Sequence, residues 1–159
     1  MKHVSLAAIE RAIDVVDNLD DDQLEVISEK YATAQQILLD YVMSAPTEYE
    51  NEELEGLLLY YFCVINECFS QEGITLRPIV EADIDELEEP YFDMLDQYFE
   101  EEDEEILESF CDQPELAQFM AMEVSTEDED GSSFSEDTAT QLFIVTLAMI
   151  SLMNRAIEA

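Results

Sequence analysis

The sequence predicts an all-α fold: a single-domain bundle of six to eight helices around a buried C-terminal helix, with residues 1–159 forming one acidic helical domain. Three observations carry this expectation. The stretch from Thr138 to Asn154 (TATQLFIVTLAMISLMN) contains no charged residue, and between Leu142 and Met153 only Thr146 and Ser151 interrupt the apolar run. A helix that is apolar all round belongs in an interior, so residues 136–157 are expected to form the central element. Elsewhere the apolar residues recur at steps of three and four, the helical period. Nothing alternates apolar and polar over a useful length, and the chain holds only 3 glycines and 4 prolines.

Taken in order, Leu6, Ile9, Ile13 and Val16 define an amphipathic helix over residues 5–18. Asp20 and Gln23 form a capping box for a second helix. Its inward stripe is Leu24, Ile27, Tyr31, Ala34, Leu38 and Tyr41, and Pro46 ends it because proline disfavours helix in the residue before it. Thr47 and Glu50 read as another capping box, opening a helix that runs to about Gln71 with Gly73 as its stop. The middle of that helix, Leu57 to Ile65 (LLLYYFCVI), is again apolar all round and is expected to pack against Leu142 to Met153. Tyr60 and Tyr61 then need hydrogen-bond partners, which the abundant carboxylates supply. Residues 74–78 read as a connection and residues 81–88 as a short helix. Pro90 suits the first turn of the next helix, with Phe92, Leu95, Phe99, Ile106 and Phe110 facing inward. The favoured reading runs that helix unbroken from Pro90 to Cys111. Pro114 opens a further helix carrying Leu116, Phe119, Met120 and Met122, and Val124 to Ser135 is the one clear loop.

A chain of 159 residues can bury a substantial core. Its hydrophobic fraction of 48% is ordinary, but 41 acids face 5 lysines and arginines, giving a net charge of −36. High net charge goes with disorder when hydrophobicity is low. Here it is not low, so a folded domain with a very acidic exterior is expected. Self-repulsion opposes compaction. A fold of this length has a radius of gyration of about 15 Å, against a screening length of about 8 Å in physiological salt. Opposite faces are therefore screened from each other while neighbouring carboxylates are not.

The 3 cysteines, Cys63, Cys68 and Cys111, are odd in number and contain no CxxC pair, which fits neither a disulfide framework nor a zinc site. Cys63 and Cys68 would lie about 140° apart on a helix. Buried free thiols in a reducing cytoplasm are expected. Glu10 and Arg11 interrupt the apolar run of a would-be signal peptide, and the C-terminal apolar stretch is shorter than the roughly 20 residues a membrane span needs.

Several chemistries lack their residues. The segment Thr126-x-Asp128-x-Asp130-Gly131, with Asp137 in the twelfth place, partly resembles an EF-hand calcium loop. Thr126 stands where Asp is needed, Ser133 where an apolar residue is usual, and Asp137 where the longer Glu would bind in two-fold fashion, so a solvated acidic loop is the expected reading. Di-iron bundles need Glu-x-x-His pairs, and the single histidine is His3. Acid-x-x-acid pairs such as Glu52/Glu55, Asp93/Asp96 and Glu101/Glu104 carry almost no information, because chance alone supplies roughly ten in so acidic a chain. Nucleophilic catalysis wants a histidine or lysine base, for which His3, Lys2 and Lys30 are poor candidates. Phosphate repulsion disfavours direct nucleic-acid binding. No cofactor, catalytic residue or metal ligand is expected.

What remains is the charge. Between Pro78 and Asn154 lie 24 acids and no base, densest at Glu100, Glu101, Glu102, Asp103, Glu104, Glu105 and Glu108. The expected function is a non-enzymatic acidic interaction protein whose carboxylate-rich face binds a basic protein surface. Its sharpest form is a nucleic-acid mimic that occupies a nucleic-acid-binding protein, an analogy of charge and helicity and of nothing else. Two alternatives stand beside it: acidity that serves solubility or salt adaptation alone, and a small helical metal-dependent hydrolase.

Overall fold

Two long helices hold the core together. A computed structural model of the protein describes residues 3–125 and 136–157. The helices, in chain order, are α1 (Leu6–Asp17), α2 (Asp21–Ala34), α3 (Gln36–Met43), α4 (Ala45–Glu48), α5 (Glu53–Gln71), α6 (Glu81–Glu101), α7 (Glu104–Cys111), α8 (Pro114–Ser125) and α9 (Glu136–Arg155). All but the single turn of α4 span eight residues or more, and among the described residues there is no strand, only an isolated antiparallel bridge between Leu76 and Ile157. In α9, nine consecutive residues, Val145 to Met153, are buried. In α5 the nine from Tyr61 to Phe69 are buried too, one turn later than the Leu57 to Ile65 expected, and Leu59 is exposed. The two helices pack against each other, α1 lies along α5, and α8 and α7 lie against α9.

The polar residues inside α9 are satisfied within the helix, as buried hydroxyls must be. Thr146 Oγ1 donates to the Leu142 carbonyl at 2.8 Å, and Ser151 Oγ donates to the Leu147 carbonyl at 2.8 Å. Three amide side chains then tie the ends of the bundle. Gln113, fully buried, accepts from the Val4 amide at 2.8 Å and donates to Asn154 at 2.9 Å. Gln35, also buried, donates to the Arg77 carbonyl and accepts from the Ile79 amide, holding the connection after α5. Asn51 donates to Thr138 and Gln141 at the start of α9.

Helix boundaries follow local chemistry. Ser5 caps α1 by accepting from the Ala8 amide, and Asp20 with Gln23 makes the expected capping box of α2. The second helix does not run on to Pro46: it breaks at Gln35, whose side chain turns inward to the 77–79 connection. Thr47 and Glu50 form no capping box. α4 begins at Ala45 with Pro46 in its first turn and absorbs Thr47, and Glu50 follows in a left-handed conformation before α5 begins at Glu53. At the far end, Gly73 (φ 74°) allows the paired Ile74 N–H to Phe69 carbonyl and Gly73 N–H to Ser70 carbonyl bonds of a glycine stop.

The largest departure lies in α6. It is one helix from Glu81 to Glu101 with Pro90 inside it, not a short helix and a fresh start at Pro90. Counting from Glu81, the continuous stripe is Ile84, Leu87, Tyr91, Leu95 and Tyr98, and this buries Tyr91 instead of Phe92. The helix then ends at the acidic run. Glu102 adopts a left-handed conformation (φ 53°), and Asp103 caps α7 by accepting from the Glu105 amide at 3.0 Å. The unbroken helix from Pro90 to Cys111 is therefore corrected to two. Between α7 and α8, Asp112 is likewise left-handed (φ 54°) and meets His3 at 3.2 Å.

The three cysteines are free and buried. Burial pushes the Cys68 thiol up to about 12 and Cys111 up to about 11.

Two measurements check this account of the fold. Because neighbouring carboxylates repel, the melting temperature should rise from low to moderate salt; a flat or falling curve contradicts it. Because Glu102 sits where glycine is unstrained, Glu102→Gly should raise the unfolding free energy by about 1 kcal/mol in denaturant titration. A loss of stability would show that the side chain is needed there.

Candidate partner-binding face

The acidic face is built on α6 and α7. Its anchor is the turn before α6, where the Arg77 guanidinium makes a two-pronged ion pair with Asp83 (2.7 and 2.9 Å) and Asp83 also accepts from the Val80 amide at 2.9 Å. Arg77 beside Asp83 holds its carboxyl below the usual carboxylate range. Among the described residues, no other ion pair involves an acid from Glu81 to Glu108. Of the acids between Glu81 and Glu108, all but Asp83 and Glu108 are exposed.

The structure brings the expected site residues together at one corner, though not on one helix. Glu100 and Glu101 close α6, Glu102 makes the turn, Asp103 caps α7, and Glu104 and Glu105 occupy its first turn. Glu108 is half-buried and accepts from Gln118 Nε2 at 2.7 Å, and Glu101 accepts from Gln97 at 2.9 Å. A helix C-terminus carries about half a negative charge, so Glu100 and Glu101 sit where the backbone adds to their repulsion. Glu104 and Glu105 lie at the favourable N-terminal end of α7. Beside the corner, α6 and α7 enclose an open cleft of about 700 Å³. Met94, Ile106 and Phe110 line it with Asp93, Asp103 and Glu105.

Phe92 and Phe99, expected to face inward, are 53% and 51% exposed. They stand on the opposite flank of α6 from Pro90, Met94 and Gln97, which line the cleft. The cause is the uninterrupted helix from Glu81, whose stripe begins at Ile84 and leaves both rings outside.

Other acids gather elsewhere. Glu50, Glu52, Glu53 and Asp137 border a cleft of about 580 Å³ where α5 and α9 begin. Among the described residues, no group of three or more histidine, cysteine, aspartate or glutamate side chains is placed to hold a metal ion. The calcium-loop reading of Thr126 to Asp137 falls almost wholly outside the described residues. No described helix is long and apolar enough to cross a membrane.

Tyrosine hydroxyls meet carboxylates at three places, from the exposed Asp17 through the half-buried Glu123 to the buried Glu67. Tyr60 donates to Asp17 at 2.8 Å and Tyr61 to Glu123 at 3.2 Å, as the abundance of acids implies. Sequence reasoning missed the third case. Glu67 is a buried carboxylate (7% exposed) that accepts from the Tyr31 hydroxyl and from Gln71 at 2.8 Å. The available signal was its isolation as the one acid in the apolar run from Tyr61 to Phe69. A cleft of about 410 Å³ opens beside it, bordered by Lys30, Tyr31, Asn66, Phe69 and Leu76. Burial first, and the neighbouring carboxylates second, raise the hydroxyls of Tyr31, Tyr60 and Tyr61 far above their ordinary range, and Tyr41 up to about 12.

Compared with protein-family models, with curated proteins and with solved structures, the chain finds no match. The fold and site define it as an all-α acidic bundle.

The raised tyrosines set an alkaline limit. A group whose folded pKa is raised contributes stability that is complete below its unfolded value and is lost as the pH climbs toward the folded one. Stability should therefore hold to about pH 10 and fall above it. Phenolate absorbance should lag behind that of free tyrosine and rise together with unfolding. Tyrosines that ionise in the folded protein near their free value would contradict the Tyr31, Tyr60 and Tyr61 contacts.

Proposed function

We propose that this protein binds a basic protein surface through the carboxylate face from Glu81 to Glu108, without catalysing a reaction, and that the sharpest form of this role is nucleic-acid mimicry. The observation that carries the reading is the run of 24 acids without a base between Pro78 and Asn154, whose part on α6 and α7 is largely exposed. Charge of one sign raises encounter rates with an oppositely charged partner and selects against others. Duplex nucleic acid presents the same sign of charge along a rigid rod, so a groove built for phosphates is a natural receptor for carboxylates fixed along helices. The free thiols of Cys63, Cys68 and Cys111 favour a reducing compartment such as the cytoplasm.

The test is charge reversal at the corner. Replacing Glu101, Glu102, Glu104 and Glu105 by lysine should weaken binding to basic nucleic-acid-binding proteins captured from a native lysate. The loss should be about tenfold or more at low salt, and the salt dependence should flatten because fewer ionic contacts remain. Duplex DNA should compete for the same partners. Captured proteins that bind the reversed variant as tightly as the original would refute this placement of the site.

A further inference from the structure

The outer flank of α6 holds a feature that charge alone does not explain. Phe92 and Phe99 are more than half exposed, in a helix that already has a complete inward stripe. Seven residues apart, they lie about 20° from each other around the helix and about 10.5 Å apart along it. Glu81, Asp85, Glu88 and Asp96 fall within about 50° of the same line. Tyr49, 38% exposed, and Glu48 line a narrow crevice together with Phe92. An exposed large aromatic loses nothing by being polar unless something covers it, and two in register on one face make a docking stripe.

We infer that this flank of α6 receives a cationic amphipathic helix of a partner protein, whose apolar residues cover Phe92 and Phe99 and whose lysines or arginines meet Asp85, Glu88 and Asp96. The inference rests on the proposed function and names the chemistry of its partner. Charge complementarity selects the occupant. A second copy would bring net charge −36 against itself, and an anionic lipid surface would be repelled for the same reason. A basic helix with apolar residues two turns apart satisfies both the rings and the carboxylates. Lysine stems add apolar cover along the way.

The test uses the intact protein and two synthetic peptides of identical lysine and leucine composition. One places its leucines on a single helical face and the other scatters them around the helix. The facial peptide should bind about tenfold more tightly than the scattered one. Phe92→Ser with Phe99→Ser should reduce it to the level of the scattered peptide, whose own binding stays unchanged. Phe92→Leu with Phe99→Leu should keep most of the difference, which separates lost contact from lost fold, and unchanged helical circular dichroism of each variant checks the same point. Equal binding of the two peptides, or no effect of the serine variant, overturns the inference and leaves the proposed function standing. Failure of both peptides to bind at low salt removes the inference and the proposed function together. Concentration-dependent dimers that vanish in the serine variant would assign the flank to a second copy and overturn the partner named here.

Discussion

The contact between α5 and α9 is the interaction on which everything else depends. Each helix presents nine consecutive buried residues, so each needs neighbours on every side, and the other helices are recruited to supply them. The opposing force is electrostatic. Among the described residues the ion pairs are His3 with Asp112 and Arg77 with Asp83, far too few to neutralise 41 acids. Exposed pairs contribute little in any case. Apolar burial must therefore carry the fold, at roughly 1.5–3 kcal/mol for each fully buried large side chain. The buried amides of Gln35 and Gln113 add no hydrophobic stabilisation but fix which segments meet.

This division of labour separates frame from face. The core lies in α5 and α9, with α1 and α8 packed along them. The densest exposed acids lie on α6 and α7 at the edge, where α6 touches little beyond α7 and α9. Crowding carboxylates at the C-terminal end of α6 works against stability. A protein selected for stability alone has no reason to keep them there, nor to leave Phe92 and Phe99 in solvent. Both features become intelligible if a partner supplies positive charge and apolar cover.

Fold class was legible because its signals are one-dimensional: an uncharged apolar stretch at Leu142 to Met153, recurrent steps of three and four, and the Asp20 to Gln23 box. Boundaries that depend on tertiary contacts were not. The break at Gln35 exists because its amide meets the 77–79 connection, which no local pattern reveals. Pro90 reads locally as a helix start, yet packing of the stripe from Ile84 to Tyr98 carries the helix through it. That error in phase also placed Phe92 and Phe99 in the core. The acidic corner was found by count, but its shape was not, because a left-handed Glu102 is an unfavourable choice that sequence preference alone would not propose. Glu67 was missed because its one local signal, an acid inside an apolar run, does not reveal the partners, Tyr31 and Gln71, that meet it in space.

The central claim is that the acids of α6 and its C-terminal corner serve binding at a cost to stability. The most direct measurement is the melting temperature at low salt of a variant with Glu89, Glu100 and Glu101 replaced by glutamine. All three are exposed, and neutralising them removes repulsion without emptying any space. The account predicts a higher melting temperature than that of the original protein, together with weaker binding of a basic partner. A lower melting temperature would mean that these carboxylates support the fold, and would contradict the separation of frame from face.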